Sequence, residues 1–142
     1  MGGGAEVRFI GEVESVRDTS TVRIYPEFCP GLLGVEGFSH LIVLYWMHLR
    51  DDKENRGTLR VIPRRHEGAP ITGVFASRSP SRPNPIALAV VKLEAVEGCR
   101  LRVSGLDAFE GSPIIDIKPY SPRGDSVPDA ITPEWALRGP PT

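Results

Sequence analysis

Residues 39–49 form an almost uninterrupted run of apolar side chains, and this run restricts the possible folds more than any other part of the chain. In an extended strand, alternate side chains point to opposite faces. One face would hold His40, Ile42, Leu44, Trp46 and His48, and the other would hold Leu41, Val43, Tyr45, Met47 and Leu49. Apolar residues on both faces predict a strand buried on both sides, such as one that lines a closed barrel. A buried helix is an alternative at this length, but the β-branched and aromatic content favours the strand.

Further β-branched segments, separated by turn residues, predict that most of the chain is built from short strands. These predicted strands cover residues 7–16, 22–25, 58–62, 86–96, 101–103 and 113–117. Glu97-Gly98 suits a hairpin turn, and residues 132–137 predict a short helix with a Thr132 cap and Pro133 at its first position. The pattern indicates an all-β barrel. It also predicts a single domain over residues 5–138, with flexible tails at residues 1–4 and 139–142.

The composition is that of an ordinary globular protein. Of the 142 residues, 40% are hydrophobic and 25% are charged. No apolar run is long enough to cross a bilayer, and no signal peptide is visible. Cys29 and Cys99 lack metal-ligand spacing, so without a secretory signal we expect reduced, structural thiols. These features predict a cytoplasmic protein.

Positive charge is concentrated in one stretch, although the net charge of the chain is only −1. Between residues 56 and 82 a single acidic residue, Glu67, accompanies six arginines: Arg56, Arg60, Arg64, Arg65, Arg78 and Arg82. Such a stretch suits the binding of RNA phosphates. The alternative is a solvated face whose arginines are balanced by carboxylates elsewhere in the fold.

The segment 73–86 contains three prolines between two apolar runs. Pro80, Pro83 and Pro85 fix φ, remove backbone donors and favour extended conformations in the residues before them. The segment should therefore be a stiff, non-helical ribbon that presents Arg78, Arg82 and Asn84. Side chains that are ordered before a ligand arrives lose less entropy on binding. The alternative is a rigid connection whose arginines pair with carboxylates.

Four stretches resemble the TsaA-like family of TrmO-type tRNA methyltransferases, in the same order along the chain. The main signature is Ser77-Arg78-Ser79-Pro80 followed by Arg82-Pro83-Asn84-Pro85-Ile86. The others are Gly37-Phe38-Ser39-His40, residues 107–113, and Asp116-Ile117-Lys118-Pro119-Tyr120. The resemblance implies an all-β fold with a single-sheet closed barrel.

The resemblance also implies that the cofactor is S-adenosylmethionine, held without a Rossmann fold. This agrees with the absence of a Gly-x-Gly-x-x-Gly sequence after a strand. Carried over by position, the cofactor-binding residues are His48, Leu49, Arg78, Leu88, Phe109, Glu110, Gly111 and Ser112. No metal is expected, because the three histidines have no further ligand at metal spacing.

In this family the methyl acceptor is the exocyclic amine of N6-threonylcarbamoyladenosine, next to the tRNA anticodon. That nucleoside carries a carboxylate, which an arginine can bind bidentately. The candidate catalytic residues are Arg78 and Arg82, which would bind the carboxylate and organise the loop, with Asn84 as a hydrogen-bonding partner. The expected partners are tRNA, S-adenosylmethionine and a second copy of the chain in a homodimer, with no membrane.

One departure from the family pattern leaves other functions open. The family has a longer segment after the first strand, with a Pro-Arg-Gln stretch that helps to hold the cofactor, whereas here Val16 leads through Arg17 directly to Val22. Arg17 is a possible substitute for the missing arginine. The alternatives are a methyltransferase with a different acceptor and a non-catalytic module that has lost the cofactor.

Overall fold

Six antiparallel strands close into a barrel in the computed structural model, which describes residues 2–141. The barrel strands are β1 Gly11–Val16, β2 Ser20–Ile24, β3 His40–Trp46, β6 Ile86–Glu97, β7 Arg100–Ser104 and β8 Pro113–Pro119. Two further strands, β4 Arg60–Val61 and β5 Thr72–Gly73, lie outside the barrel. The barrel order is β1-β2-β7-β6-β3-β8, and β8 pairs with β1 to close the ring. The predicted all-β fold with a closed single-sheet barrel is therefore confirmed.

The chain divides into two compact units. The first, up to residue 48 and from 86 to 121, contains the barrel. The second, residues 49–85 and the chain from 122 onward, contains β4 and β5, which form a separate two-stranded sheet. The single domain over residues 5–138 stays a prediction, and the terminal residues Met1 and Thr142 of its predicted tails lie outside the described residues.

Strand β3 alternates between the barrel interior and the outside. Leu41, Val43 and Tyr45 are buried in the core, as a period of two requires. The opposite face, which includes Ile42 and Leu44, is only half-buried, so the prediction that both faces are buried was wrong. The outward face of a barrel strand is covered only where another element packs on it, and this cannot be derived from the strand's own composition.

The β6–β7 hairpin is present as predicted, but it turns at Gly98-Cys99, one residue later than the predicted Glu97-Gly98, with Gly98 in the left-handed region at φ +64°. Arg100 to Val103 alternate exposed and buried, also as predicted. On β6, by contrast, the side chains of Ile86, Leu88 and Val90 are 39%, 47% and 45% exposed. The outer surface of β6 therefore presents an apolar stripe.

Cys29 and Cys99 form a disulfide, so the expectation of two reduced thiols was wrong. Cys29 lies in the 3-10 helix Pro26–Leu32, and Cys99 lies in the β6–β7 turn. Phe28 and Leu32 of the same helix pack against the barrel core. This packing brings the two Cα atoms to 5.4 Å across 70 residues of sequence, within the range that a disulfide requires.

The second unit consists of short elements joined by loops. It contains the helices α1 Lys53–Arg56 and α2 Pro122–Asp125 and the 3-10 helices Val74–Ala76 and Glu134–Leu137. The predicted strand at 58–62 is reduced to β4, and the predicted C-terminal helix is the last 3-10 helix. Pro133 occupies its N-cap position and no side chain caps it, so the predicted Thr132 cap was wrong.

Two close contacts hold the end of the described chain to the rest of the second unit. Nδ1 of the buried His66 hydrogen-bonds to the Arg138 carbonyl at 2.5 Å, and the His66 ring lies 5.6 Å from that of Trp135. A Cβ on Gly139, at φ +77°, would collide with the Arg65 carbonyl. Over residues 2–141, no helix is long and apolar enough to span a membrane.

Candidate functional site

Arg82 is hydrogen-bonded to the backbone of its own segment, residues 73–86, which we call the proline-rich loop. Its Nη1 donates hydrogen bonds to the carbonyl oxygens of Ser77 and Ser79, at 3.1 and 3.0 Å. Two serine hydroxyls accept the backbone N–H groups that follow them, Ser77 from Ser79 at 3.3 Å and Ser79 from Ser81 at 3.2 Å. Because prolines supply no N–H group, these side-chain bonds replace the missing backbone hydrogen bonds and fix the loop.

Helix α1 anchors the same loop. The Ser81 hydroxyl donates to Asn55 Oδ1 at 2.5 Å, and Arg56 Nε donates to the Pro83 carbonyl at 2.8 Å. Asp52 caps α1 by accepting the Asn55 backbone N–H at 2.7 Å, and this hydrogen bond lowers the pKa of the Asp52 carboxyl. The Asp52-x-x-Asn55 pattern is a sequence signal for α1 that our sequence analysis missed.

Arg78 and Asn84 remain exposed on the anchored loop. Asn84 Oδ1 accepts from Arg56 Nη2 at 3.3 Å, which leaves the amide NH2 of Asn84 as a donor. Within residues 2–141, the Arg78 guanidinium has no hydrogen-bond or ion-pair partner. Of the three predicted catalytic residues, Arg78 and Asn84 therefore have donors available for a ligand, whereas two donors of Arg82 Nη1 bind the loop itself.

In the first unit, residues 109–112 form a tight turn attached to the barrel. The Gly111 N–H donates to the Val13 carbonyl at 2.7 Å, and the Ser112 N–H donates to the Phe109 carbonyl at 3.0 Å. Gly111 has φ +86°, and no atom lies within 4 Å of the place where a Cβ would stand. The N–H groups of Gly111 and Ser112 therefore already have acceptors within the protein. In the described residues, the N–H groups of Phe109 and Glu110 have none, so these two could donate to a ligand.

Tyr45 joins β3 to the segment that leads into this turn. Its hydroxyl donates to the carbonyl oxygen of Asp107, 62 residues along the chain. The side chain is otherwise buried in the core. Sequence analysis assigned Tyr45 to the core and missed this hydrogen bond, because no local pattern indicates which carbonyl a buried hydroxyl reaches.

A cleft of about 430 Å³ lies beside the turn and is rich in carboxylates. Glu12 pairs with Arg23 at 2.5 Å, and Arg100 Nε pairs with Glu14 at 2.8 Å, with a hydrogen bond that lowers the pKa of Glu14. In the described residues the Glu110 carboxylate has no such partner. The cleft can therefore accept a cation without breaking an existing ion pair.

His48 and Leu88 lie along the same pair of strands. His48 follows the end of β3, and its Nδ1 is buried without a hydrogen-bond partner in residues 2–141. Leu88 on β6 is paired with Leu44 on β3 and is exposed on the outer face. Two predicted cofactor-binding residues therefore lie next to β3: His48, which follows its end, and Leu88 on the neighbouring strand. Tyr45 of β3 also bonds Asp107, two residues before the 109–112 turn.

The remaining predicted site residues belong to the second unit. Leu49 has 61% of its side chain exposed, and Arg78, Arg82 and Asn84 lie in the proline-rich loop. Over residues 2–141, no group of three or more His, Cys, Asp and Glu side chains could hold a metal ion. The roles predicted for these residues stay predictions.

Comparison with known proteins identifies the family. Residues 12–126 match the model of the tRNA-methyltransferase O N-terminal domain, TrmO_N. The chain belongs to the TrmO family. Its resemblance to TrmO-type proteins, inferred from short motifs, is therefore confirmed over most of the sequence.

Relatives of this TrmO-family chain include an S-adenosyl-L-methionine-binding protein of Archaeoglobus fulgidus, 51% identical over 108 residues that cover 76% of the chain and 73% of the relative. The human tRNA (adenine(37)-N6)-methyltransferase is 43% identical over 102 residues, 72% of the chain and 22% of that protein. A crystal structure of TrmO from P. aeruginosa superposes with a TM-score of 0.74 and 30% identity, covering 94% of the chain and 62% of that structure. Another A. fulgidus relative is matched over only 30% of its length.

Proposed function

We propose that this protein is an S-adenosylmethionine-dependent methyltransferase that acts on the exocyclic amine of N6-threonylcarbamoyladenosine next to the tRNA anticodon. The observation that carries the proposal is the match of residues 12–126 to the TrmO N-terminal domain. The names of the A. fulgidus and human relatives, which refer to S-adenosyl-L-methionine and to tRNA adenine 37, support the cofactor and the substrate class.

The residues of the first unit fit the cofactor. S-adenosylmethionine carries an ammonium group and a sulfonium, and the Glu110 carboxylate beside the 109–112 turn is available for a cation. The unpartnered Nδ1 of His48 can bond a polar group of the ligand. The exposed side chain of Leu88 supplies apolar surface that a ligand would cover. Leu49, Phe109, Gly111 and Ser112 keep their predicted cofactor-binding roles within this proposal.

Residues of the proline-rich loop fit the acceptor. The Arg78 guanidinium and the Asn84 amide are donors that the loop leaves available, and both suit the carboxylate of the threonylcarbamoyl group. Arg82 holds the loop that presents them. When bound, the cofactor would supply an electrophilic methyl group: the N–CH3 bond would form as the S–CH3 bond breaks, the nitrogen would lose its proton to solvent, and the sulfonium would become a neutral thioether. The chain's own contribution is to orient the amine and to exclude water.

The short β1–β2 connection favours one second candidate, a binding module without the cofactor. The Arg17 N–H donates to the Thr19 carbonyl at 2.9 Å, so the chain turns directly from β1 to β2 where the family has its Pro-Arg-Gln stretch. If that stretch is indispensable, the barrel would retain an RNA-binding role only.

We further propose that two copies pair through the apolar stripe of β6, and that the enzyme works in the cytoplasm, where its tRNA substrate is found. The exposed side chains of Ile86 and Val90, which the cofactor proposal does not use, support the pairing, since neighbouring exposed apolar side chains often mark a surface that a partner covers. Sedimentation equilibrium of the wild type and of Val90→Asp tests the pairing. A monomeric wild type would contradict it.

The function is tested by calorimetric titration with S-adenosylmethionine, with ATP as the control ligand. We expect a dissociation constant near the micromolar level, about −8 kcal/mol, and no heat from ATP. Methyl transfer is then measured on tRNA with and without the threonylcarbamoyl group. Binding and transfer only to the modified tRNA would support the proposal, and transfer to both would favour another acceptor. A folded protein that binds no cofactor, with or without tRNA, would support the binding module.

A further inference from the structure

Phe75 is an exposed aromatic side chain on a rigid support. It occupies the middle of the 3-10 helix Val74–Ala76, and 80% of its side chain is exposed. The preceding Val74 is 1% exposed, and its N–H donates to the Leu59 carbonyl at 2.9 Å. Both the N–H and the hydroxyl of Ser77 bond the Val74 carbonyl at 3.3 Å. The backbone on both sides of Phe75 is therefore tied down while the ring remains in solvent.

Unpaired arginines lie on the same part of the second unit. Arg60 on β4 is in register with Gly73 on β5, two residues before Phe75, and Arg78 follows Phe75 by three residues. Neither Arg60 nor Arg78 has a partner among residues 2–141. Glu67 is the single acidic residue between positions 56 and 82. Two guanidinium groups without a partner therefore lie near the ring along the chain and across β4–β5, and they match a polyanion better than an apolar protein surface.

We propose that Phe75 is a stacking platform for an unpaired base of an RNA substrate, with Arg60 bound to a flanking phosphate. Proteins that bind single-stranded nucleic acid combine a cationic surface with aromatic rings on which bases stack. A phenylalanine has few rotatable bonds, and its fixed backbone reduces the entropy lost on stacking. The proposal rests on the proposed function, and it adds a base-binding residue that does not contact the methyl group or the carboxylate.

The experiment measures binding of a tRNA anticodon stem-loop by fluorescence anisotropy. Phe75→Ala should weaken binding about 5- to 100-fold, the usual effect of removing one stacked base. Phe75→Trp should keep the wild-type affinity within about threefold, and Phe75→Leu, which is apolar but has no π-face, should resemble Phe75→Ala. Ile131→Ala is the matched control, because Ile131 is an exposed apolar residue of the same unit (95%) that has no assigned role.

A second readout reports stacking directly. A stem-loop with 2-aminopurine in the loop should lose fluorescence on binding to the wild type and to Phe75→Trp, but not on binding to Phe75→Ala. Calorimetry with S-adenosylmethionine should give the same affinity for all these variants. An unchanged affinity would show that the variants are folded and that the loss concerns RNA alone.

Several results would overturn the proposal. If Phe75→Ala binds RNA like the wild type while Arg78→Ala does not, stacking is wrong and the proposed function stands. If Phe75→Leu binds as well as Phe75→Trp, the ring provides apolar contact without stacking. If Phe75→Ala converts a dimer to a monomer in sedimentation, the ring belongs to a contact between copies. A wild type that neither binds nor methylates tRNA would overturn the proposed function together with this inference.

Discussion

Two arginines of one motif differ in what they contact. Arg82 Nη1 binds two carbonyl oxygens of its own loop, whereas Arg78 binds nothing in residues 2–141. Sequence analysis assigned both to the substrate, because both are guanidinium groups flanked by prolines. The difference arises from the path of the backbone, which brings the carbonyls of Ser77 and Ser79 to Arg82.

Substitution of these two arginines should therefore have different consequences. Arg78→Ala should change the free energy of unfolding by less than about 0.5 kcal/mol but lower methyl transfer about 10- to 100-fold, the value of a hydrogen bond to a charged group. Arg82→Ala should cost about 1–3 kcal/mol of stability, because two carbonyls lose their donor. Urea denaturation and tRNA methylation measure the two effects. Equal destabilisation by both variants would contradict the assignment.

Individual elements depend on links between distant parts of the chain. The segment that leads into the 109–112 turn is attached to β3 by the hydrogen bond from the Tyr45 hydroxyl to the Asp107 carbonyl. The helix Pro26–Leu32 is attached to the β6–β7 turn by the disulfide between Cys29 and Cys99. Both links join segments that lie more than 60 residues apart. Neither is visible in the periodicity of the segments that it joins.

Tyr45→Phe should impair cofactor binding more than catalysis. Removal of the hydroxyl leaves the Asp107 carbonyl without this donor and loosens the turn, so KM for S-adenosylmethionine should rise severalfold while kcat changes less. Steady-state kinetics and calorimetry measure this. The matched control is Tyr25→Phe, also in the first unit, since the Tyr25 ring contacts Arg23 and its hydroxyl has no partner within residues 2–141. Equal effects of the two variants would rule out a positioning role for Tyr45.

Loss of the disulfide should destabilise the protein. A link that closes 70 residues is worth about 4 kcal/mol in the chain-entropy treatment. We expect reduction to lower the Tm of the wild type. The Cys29→Ser, Cys99→Ser double variant should have a similarly lowered Tm, and reduction should not change the Tm of that variant. Calorimetry with and without dithiothreitol measures these effects. If reduction does not change the Tm of the wild type, the link contributes no stability.

For the molecule as a whole, the net charge conceals a local imbalance. The chain has a net charge of −1, yet of the six arginines between residues 56 and 82, three have no partner in the described part of the chain: Arg60, Arg64 and Arg78. Arg56, Arg65 and Arg82 interact within the protein. Half of these arginines therefore have no partner in the described residues, and the binding of RNA phosphates to this stretch stays a prediction.

The salt dependence of RNA binding tests this division. If Arg60 and Arg64, the unpaired arginines outside the proposed carboxylate site, each neutralise one phosphate, the logarithm of the association constant should fall linearly with the logarithm of the salt concentration, with a slope of about −1.4. Arg60→Ala should reduce the slope by about 0.7. Arg102→Ala, which removes the same charge from the barrel, is the control and should leave the slope unchanged. A slope that Arg60→Ala does not alter would exclude Arg60 from the interface.

The features that sequence analysis predicted correctly depend on neighbours along the chain. The inward face of β3 follows from a period of two, the turn at Gly98 follows from glycine's access to positive φ, and the family follows from motifs of contiguous residues. Each of these signals is complete within a dozen residues. They were sufficient for the all-β class, the barrel and the family, whereas the predicted site residues stay predictions.

Contacts between residues that lie far apart in the sequence could not be predicted from local sequence patterns. Three features depend on which distant segments pack together: the Cys29–Cys99 disulfide, the hydrogen bond from Tyr45 to Asp107, and the partial exposure of the outer face of β3. A thiol, a hydroxyl or an apolar face has the same local sequence whether or not a partner reaches it. The partner is determined by packing of the barrel and the helix Pro26–Leu32, and packing is a property of the folded chain.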